Sequence, residues 1–381
     1  MYVYDDLLVI FFYSQDPVNY ECHNYCIVID IGPDPETGER RQKWFSGYKT
    51  KKEAQADVAK KITELNEGTF VEPSKLTLKD YLLEWLKVKE MTIDKSTFDY
   101  YEDIVLKHIL PALGKIYLNK LNVIQIQQFY RNLTNTLSNG RILLIHRVLS
   151  NALNQAVAQK IIIENPAKFA SKPKKEKTPI RIWTEEEVKR FLIHSQDSRY
   201  HIGYILAITT GMRLGEVLGL RWQDIDFDNH TLTITNTVGH DNKIKQGAKT
   251  NLSQRTMPIP VETINTLKDH NLFIKKEKLR LGDAYNDFDL IVCTTRGGIV
   301  SRNYFRTKFY EVIKKADVSK IKFHDLRHTH ASLLLKQGVH PKIVSERLGH
   351  TDVSLTLNIY SHVLPNIQEE AVAKFAKSIF G

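Results

Sequence analysis

Five side chains of this sequence have the types and order needed to hold a phosphodiester and attack it with a phenol. His324, Arg327, His350 and Tyr360 fall within FHDLRHTHASLLLKQG and ERLGHTDVSLTLNIY, and Arg213 lies upstream in TTGMRLGEVLGLRW. Attack on a phosphodiester builds negative charge on its non-bridging oxygens. A planar guanidinium answers that charge with two parallel hydrogen bonds and never titrates near neutrality. Arg213 and Arg327 can therefore clamp one phosphate, and a single well-placed donor of this kind is worth roughly 2.7–4 kcal/mol in a transition state. A phenol with an ordinary pKa near 10 is protonated at neutral pH, so Tyr360 needs a proton acceptor nearby. With 17 tyrosines and 14 histidines in the chain, no one of these residues is telling alone. An amphipathic helix with Leu326, Leu333 and Leu334 on a core would explain the leucines of HDLRHTHASLLLKQG. It would not explain the order of the polar residues between positions 213 and 360.

The elements that must position these groups are legible in outline. His324 and Arg327, three apart, share a face if they lie on a helix, and Thr351 or Asp352 would cap a helix carrying Tyr360. Thr184 with Glu187 forms a capping box at the start of the block that holds them. After Trp222 the spacing changes from helical to alternating in TLTITNTV. A turn follows at Gly239 to Asn242, then strands carrying Lys249 and TMPIP, after which helices return.

The motif set resembles that of the tyrosine recombinase, or phage integrase, family. Its signature is an arginine in a TGxR-x-GE context, a strand lysine, H-x-x-R, G-H and a following tyrosine. Here these are Arg213 with Glu216, Lys249 in KTNLSQRTMPIP, His324 with Arg327, Gly349 with His350, and Tyr360. The resemblance implies catalytic roles for Arg213, Lys249, His324, Arg327, His350 and Tyr360. His324 would take the phenol proton, His350 would hydrogen-bond the phosphate, and Lys249 would protonate the departing 5′ oxygen. Lys243 and Lys245 share the expected hairpin and stay open as alternatives to Lys249. Tyr360 would form a 3′-phosphotyrosyl bond, and the freed 5′ hydroxyl would attack the equivalent bond of a partner strand. The bond energy stays in the protein linkage, so neither a cofactor nor magnesium is expected. No G-x-x-x-x-G-K-[ST] loop and no acidic metal cluster stands in the sequence.

Three blocks are expected, at 1–73, 74–171 and 172–381. The first has strands at CIVIDIG and RQKWFSGY, a turn at PDPETGER, and a helix opened by the Thr50–Glu53 capping box with Ala54, Val58, Ile62 and Leu65 on one face. DIGPDPETGERRQKWFSGYKTKKEA resembles the amino-terminal arm-binding domain of integrases from temperate phages and integrative conjugative elements. Basic residues interleaved with an aromatic on a small sheet suit a reader inserted in a DNA groove, with Arg40, Arg41, Lys43 and Trp44 as candidates. Residues before about Tyr20 do not fit the expected opening. The second block is helical: Thr77 with Asp80 opens a helix containing Leu82, Leu83, Trp85 and Leu86, and LNVIQIQQFYRNL and GRILLIHRVLSNALNQAVAQ continue it. It resembles the family's core-binding domain, half of a clamp around duplex DNA. Lys95, Ser96 and Thr97 resemble the part that approaches DNA, and a helix cap at Ser96 explains them equally. KFASKPKKEKTPIR, Lys168 to Arg181, reads as a basic linker into the catalytic block. The fold class is thus multidomain and mainly α with small antiparallel β-sheets: a β-sheet plus helix arm-binding domain, an all-helical core-binding domain and an α+β catalytic domain.

Composition agrees. The 381 residues have room for several cores, and a formal charge of +10 implies a polyanionic partner, which composition alone leaves as DNA, RNA or an anionic membrane. The resemblance selects double-stranded DNA at core and arm attachment sites, with self-association to a tetramer and with an excisionase and a DNA-bending protein as accessory partners. The apolar run from Leu7 to Tyr13 is too short to span a membrane and follows Asp5 and Asp6, so a cytoplasmic protein is expected. Three cysteines argue against a disulfide framework, and Cys22, His23 and Cys26 lack the second pair of a zinc finger. The tail helix QEEAVAKFAKSIF, with Ala371, Val372, Phe375 and Ile379 near helical spacing, would dock on another protomer, with packing within its own chain as the alternative. Two other readings share parts of the evidence. A type IB topoisomerase-like relaxing enzyme uses similar chemistry but has no clear use for an arm-binding domain. A non-enzymatic DNA-binding regulator needs none of the six residues.

Overall fold

The computed structural model describes residues 2–4, 7–13, 25–33, 37–66, 75–174, 181–246, 254–349 and 367–380. The chain divides into two units, Met1–Lys177 and Thr178–Gly381.

The first unit opens on a four-stranded antiparallel sheet of β1 (Tyr2–Tyr4), β2 (Leu7–Tyr13), β3 (Tyr25–Pro33) and β4 (Arg40–Tyr48), in that order. The last two strands fall where alternation places them. The first two lie in residues given no element from sequence, where β-branched and aromatic LLVIFFY pairs with β3, Ile10 opposite Val28 and Tyr13 opposite Tyr25. Helix α1 (Lys51–Asn66) begins at the expected capping box: the Thr50 hydroxyl accepts from the Glu53 amide and the Glu53 carboxylate accepts from the Thr50 amide, both at 3.2 Å. Ala54 and Val58 are buried with Ile27 and Ile29, and Ile62 and Leu65 pack against them.

A second core in this unit is helical: α2 (Leu78–Thr92), α3 (Lys95–Ile104), α4 (Leu110–Leu113), α5 (Val123–Leu133) and α6 (Asn139–Ala158). Thr77 caps α2 as expected, accepting from the Asp80 amide at 3.2 Å. Leu82, Trp85 and Leu86 are buried and Leu83 half-buried. The Trp85 indole donates to Gln155 at 3.0 Å and the Tyr81 hydroxyl to the Ala152 carbonyl at 2.9 Å, tying α2 to α6. One wide π turn, Val105–Ile109, joins α3 to α4, where Pro111 can neither donate a hydrogen bond nor tolerate a close carbonyl one turn back. The cap of α3 is Asp94, not Ser96. Its carbonyl accepts from Thr97 and Phe98 at 2.8 and 2.9 Å, because the chain leaves the extended conformation two residues earlier than Ser96 would require.

The second unit packs α7 (Glu185–Ser195), α8 (His201–Thr210), α9 (Leu214–Gly219), α10 (Val261–Leu281), α11 (Arg302–Ala316) and α12 (Asp325–Lys336) around buried Trp183, Phe191, Tyr204, Phe305, Phe309 and Phe323. Two small antiparallel sheets interrupt the helices. One joins β5 (Ile225–Asp226), β6 (Thr231–Ile234) and β9 (Arg255–Pro258), and the other pairs β7 (Asn236–Val238) with β8 (Ile244–Gln246) around the expected turn. Thr184 and Glu187 form their capping box at 3.2 and 3.0 Å. Helices α13 (Pro341–Leu348) and α14 (Ile367–Phe380) complete the described chain. On α12, Leu326 is buried as expected. Leu335 is buried where Leu333 and Leu334 are half-exposed, and Thr329, His330 and Ser332 are buried beside it, so this helix is enclosed on more than one side. No helix among the described residues is long and apolar enough to cross a membrane.

Candidate active site

Three arginines from three different elements meet at the end of α13. The last carbonyls of a helix have no intrahelical donor, and cations are favoured there. Arg255 Nε donates to the Arg347 carbonyl at 2.9 Å, Arg327 Nη2 to the Leu348 carbonyl at 2.5 Å, and Arg213 Nη2 to the Gly349 carbonyl at 3.4 Å. Gly349 itself closes the helix at φ +64°, a left-handed position that glycine occupies at no steric cost. The turn that leads to His350 is thereby held from three sides.

Each arginine is placed by its own local structure. Arg327 sits on the first turn of α12 and is 3% exposed; its Nη1 donates to the Gly211 carbonyl at 2.9 Å. Gly211 ends α8 at φ +69°, and a Cβ there would stand 2.5 Å from Leu348 and 2.8 Å from His330, so both backbone and space require glycine. Arg213 precedes α9 and is the open member of the set, its side chain 41% exposed. Glu216 fixes it, accepting from the Arg213 amide at 2.9 Å and from Nη1 at 2.7 Å. The same buried carboxylate accepts from Arg255 Nη2 at 3.0 Å.

One carboxylate among these guanidiniums leaves a positive excess. Burial, and then the charge of Arg213, bring the Arg327 pKa down to about 9, with Glu216 opposing and Arg255 adding to the effect. Arg327 remains charged at neutral pH, and an anion set between it and Arg213 relieves the repulsion. His324, at the start of α12, keeps an exposed surface, and the part of its ring withdrawn from water first, then the charges of His328 and Arg327, lower its pKa. The shift favours the neutral imidazole, the form that can accept a proton. The His328 ring stands edge-on to it, centroids 5.2 Å apart.

Of the six expected catalytic residues, Arg213, His324 and Arg327 come together here. Lys249, His350 and Tyr360 lie outside the described residues, as do Thr351 and Asp352. The hairpin of β7 and β8 is described as far as Gln246, with Lys245 3.7 Å from Asp241. Sequence reading missed Arg255 and Arg347. Arg255 shares the inward face of β9 with buried Met257, a position where alternation calls for an apolar residue, and that exception was the available signal. Arg347 donates to the Pro258 and Thr209 carbonyls at 2.9 and 3.0 Å and to His330 Nε2 at 3.2 Å. His330 Nδ1–H must then donate to the Ile208 carbonyl 2.8 Å away, which fixes its neutral tautomer.

The candidates in the first unit separate. On β4, Phe45 faces α1, and Lys43 and Arg41 share that side by alternation; Trp44, 59% exposed and paired with Val28, faces the other way with Arg40, which bonds Asp30. One face cannot present all four to a groove. Lys95 and Ser96 are exposed and Thr97 half-exposed in the first turn of α3, with Lys95 3.5 Å from Asp99. Cys26 lies half-buried in β3, and Cys22 and His23 are outside the described residues.

Known proteins resemble this chain in sequence and in fold. A model described as the phage integrase family matches residues 181–366, a phage integrase N-terminal SAM-like domain matches 77–134, and an arm DNA-binding domain matches 20–65. A XerC-like tyrosine recombinase of Caldanaerobacter subterraneus subsp. tengcongensis is 33% identical over 373 residues, covering 91% of this chain and 94% of its own. The Tn1549 transposon integrase, solved in complex with a circular intermediate DNA, superposes with a TM-score of 0.67 at 18% identity over 79% of this chain and 100% of its own. A lambda integrase, solved as a tetramer bound to a Holliday junction, gives 0.60 at 21% over 88% of this chain and 91% of its own. These two share the fold. Identity at the level of the XerC-like protein, sustained along nearly the whole length of both chains, decides the kinship: this chain belongs to the phage integrase family of tyrosine recombinases.

Proposed function

We propose that the protein is the integrase of a prophage or other mobile element, cutting and rejoining DNA at paired attachment sites through a 3′-phosphotyrosyl bond on Tyr360. The observation that carries this is the meeting of Arg213 and Arg327 at the end of α13, with His324 at the start of the helix that holds Arg327. In this reading the Tyr360 oxygen attacks phosphorus and its proton passes to His324. Arg213, Arg327 and His350 hold the non-bridging oxygens, and the 5′ oxygen leaves with a proton from Lys249. A 5′ hydroxyl of the partner strand then attacks the phosphotyrosine, releasing Tyr360. Each step exchanges one phosphoester for another, so no nucleotide hydrolysis is required.

Residues 1–73 would bind arm sites, 74–171 would form one half of the clamp, and 172–381 would carry the chemistry. Arg40 and Trp44, on the exposed face of β4, would meet arm DNA, with Arg41 and Lys43, half-buried on the side that faces α1, supporting them from the strand's other side; Lys95, Ser96 and Thr97 would approach the core duplex. Association to a tetramer on DNA fits α14, where Val372, Phe375 and Ile379 are exposed on the helix that also holds Ala371. The setting would be the cytoplasm, with an excisionase and a DNA-bending protein as accessories.

The test is a plasmid carrying the element's two ends. The full chain should yield recombinant circles without nucleotide or divalent metal, whereas a fragment from Ser74 should form the covalent adduct on core DNA yet fail at integrative recombination. Two linked modules gain effective concentration only when both their sites lie on one DNA, and deleting one removes that gain without disturbing the other's contacts. Relaxation of any supercoiled plasmid with no recombinant product would favour the relaxing enzyme instead. Loss of core cleavage in the fragment would overturn the boundary near residue 74.

A further inference from the structure

We propose that Arg255 is a positioning residue for the strand-cleavage step, setting both the aim of Arg213 and the seat of the turn that leads to His350. The proposal rests on the phosphate-clamp reading of Arg213 and Arg327. Arg255 is assigned no contact with the scissile phosphate: its Nε is directed at the Arg347 carbonyl and both its Nη atoms at Glu216. Its guanidinium does two things at once. Nη2 bonds one oxygen of Glu216 at 3.0 Å, and Nε bonds the Arg347 carbonyl at 2.9 Å, two residues before Gly349.

Glu216 is the pivot. It is 6% exposed and its carboxyl is held below the ordinary range, burial being opposed by Arg255 and then Arg213. Oε1 takes the Arg213 side chain at 2.7 Å and, more distantly, Arg255 Nη1 at 3.5 Å, whereas Oε2 takes the Arg213 amide at 2.9 Å and Arg255 Nη2 at 3.0 Å. With the Arg255 fork across both oxygens, closest to Oε2, the plane of the carboxylate is fixed and Oε1 presents one direction to Arg213, whose Nη2 is left turned toward the Gly349 carbonyl. Without Arg255, a buried carboxylate with a single cationic partner draws that partner inward. Arg213 would then spend on Glu216 the donors that the phosphate needs. The same loss releases the Arg347 carbonyl, so the turn before His350 would lose one of its three anchors. Lysine at 255 supplies the charge, but a single ammonium does not reproduce the planar fork that spans a carboxylate and a carbonyl.

The test compares adduct formation on two duplexes. One has an ordinary scissile phosphodiester; in the other a methyl group replaces one non-bridging oxygen and removes its charge. A residue acting through the clamp matters less when the phosphate carries no charge, while a residue that only supports the fold matters equally for both. Arg255→Ala should slow cleavage of the phosphodiester by about 10- to 100-fold, the scale of lost outer-shell partners at other reactive centres. On the neutral linkage its deficit should shrink to within about 3-fold, with Arg213→Ala showing the same contrast. Arg255→Lys, which keeps the buried charge balanced and guards against a variant that fails to fold, should show a smaller loss with the same substrate dependence. Equal losses on both duplexes for the Arg255 variants, with the contrast intact for Arg213→Ala, would overturn the positioning role and leave the clamp standing. Absence of the contrast in Arg213→Ala would overturn the clamp and this proposal together. Wild-type rates in both Arg255 variants would overturn the proposal alone.

Discussion

Tyr360→Phe is expected to abolish strand cleavage and leave DNA binding nearly unchanged. The substitution removes one hydroxyl, and affinity for duplex DNA comes mostly from phosphate contacts elsewhere on a chain of formal charge +10. With no oxygen at that position no phosphoester can form, so the rate of adduct formation should fall to background, while gel-shift affinity stays within about 2-fold of wild type and its salt slope stays unaltered. A covalent adduct in that variant would remove Tyr360 as the nucleophile.

The second large effect separates the two arginines of the clamp. Arg213→Ala and Arg327→Ala should each slow cleavage by about 10²–10³-fold, the cost of removing a donor from developing negative charge. Their effects on stability should differ. Arg327 is enclosed and bonds the Gly211 and Leu348 carbonyls at 2.9 and 2.5 Å, so its loss strands buried acceptors at about 1–3 kcal/mol each. Arg213 is substantially exposed, and its removal leaves Glu216 still paired with Arg255. Thermal unfolding should therefore show a marked drop for Arg327→Ala and a small one for Arg213→Ala at similar loss of cleavage. Wild-type cleavage in either variant would sink the clamp assignment.

What was legible in the sequence depended on the range over which each feature is decided. Capping boxes at Thr50 and Thr184 and the cap at Thr77 are settled within four residues, and all three stand where the spacing put them. The turn from Gly239 to Asn242 is local in the same sense. The meeting of Arg213 with Arg327 joins residues far apart in sequence, and was legible because their motifs resemble a family signature that implies a shared phosphate clamp. Strands β1 and β2 were not, since an apolar run such as LLVIFFY becomes a strand by finding a partner, here β3, that nothing in the run specifies. The start of α3 at Lys95 instead of beyond Ser96 is the ordinary uncertainty of a helix end. Arg255 was hidden for a different reason. Its partners Glu216 and Arg347 lie 39 and 92 residues away, and a lone arginine on a short strand reads as a solvated side chain until those partners are seen.

The central claim, that the chain cuts DNA by forming a phosphoester on Tyr360, is tested most directly by the mass of the peptide left on DNA. Wild-type protein is incubated with a core duplex nicked next to the scissile phosphate, so that the short 5′-hydroxyl fragment diffuses away and the adduct accumulates. After proteolysis, the DNA should carry one peptide, the one containing Tyr360, joined through its phenolic oxygen to a 3′ phosphate. Attachment at another residue, linkage to a 5′ phosphate, or cleavage with no covalent peptide would contradict the account.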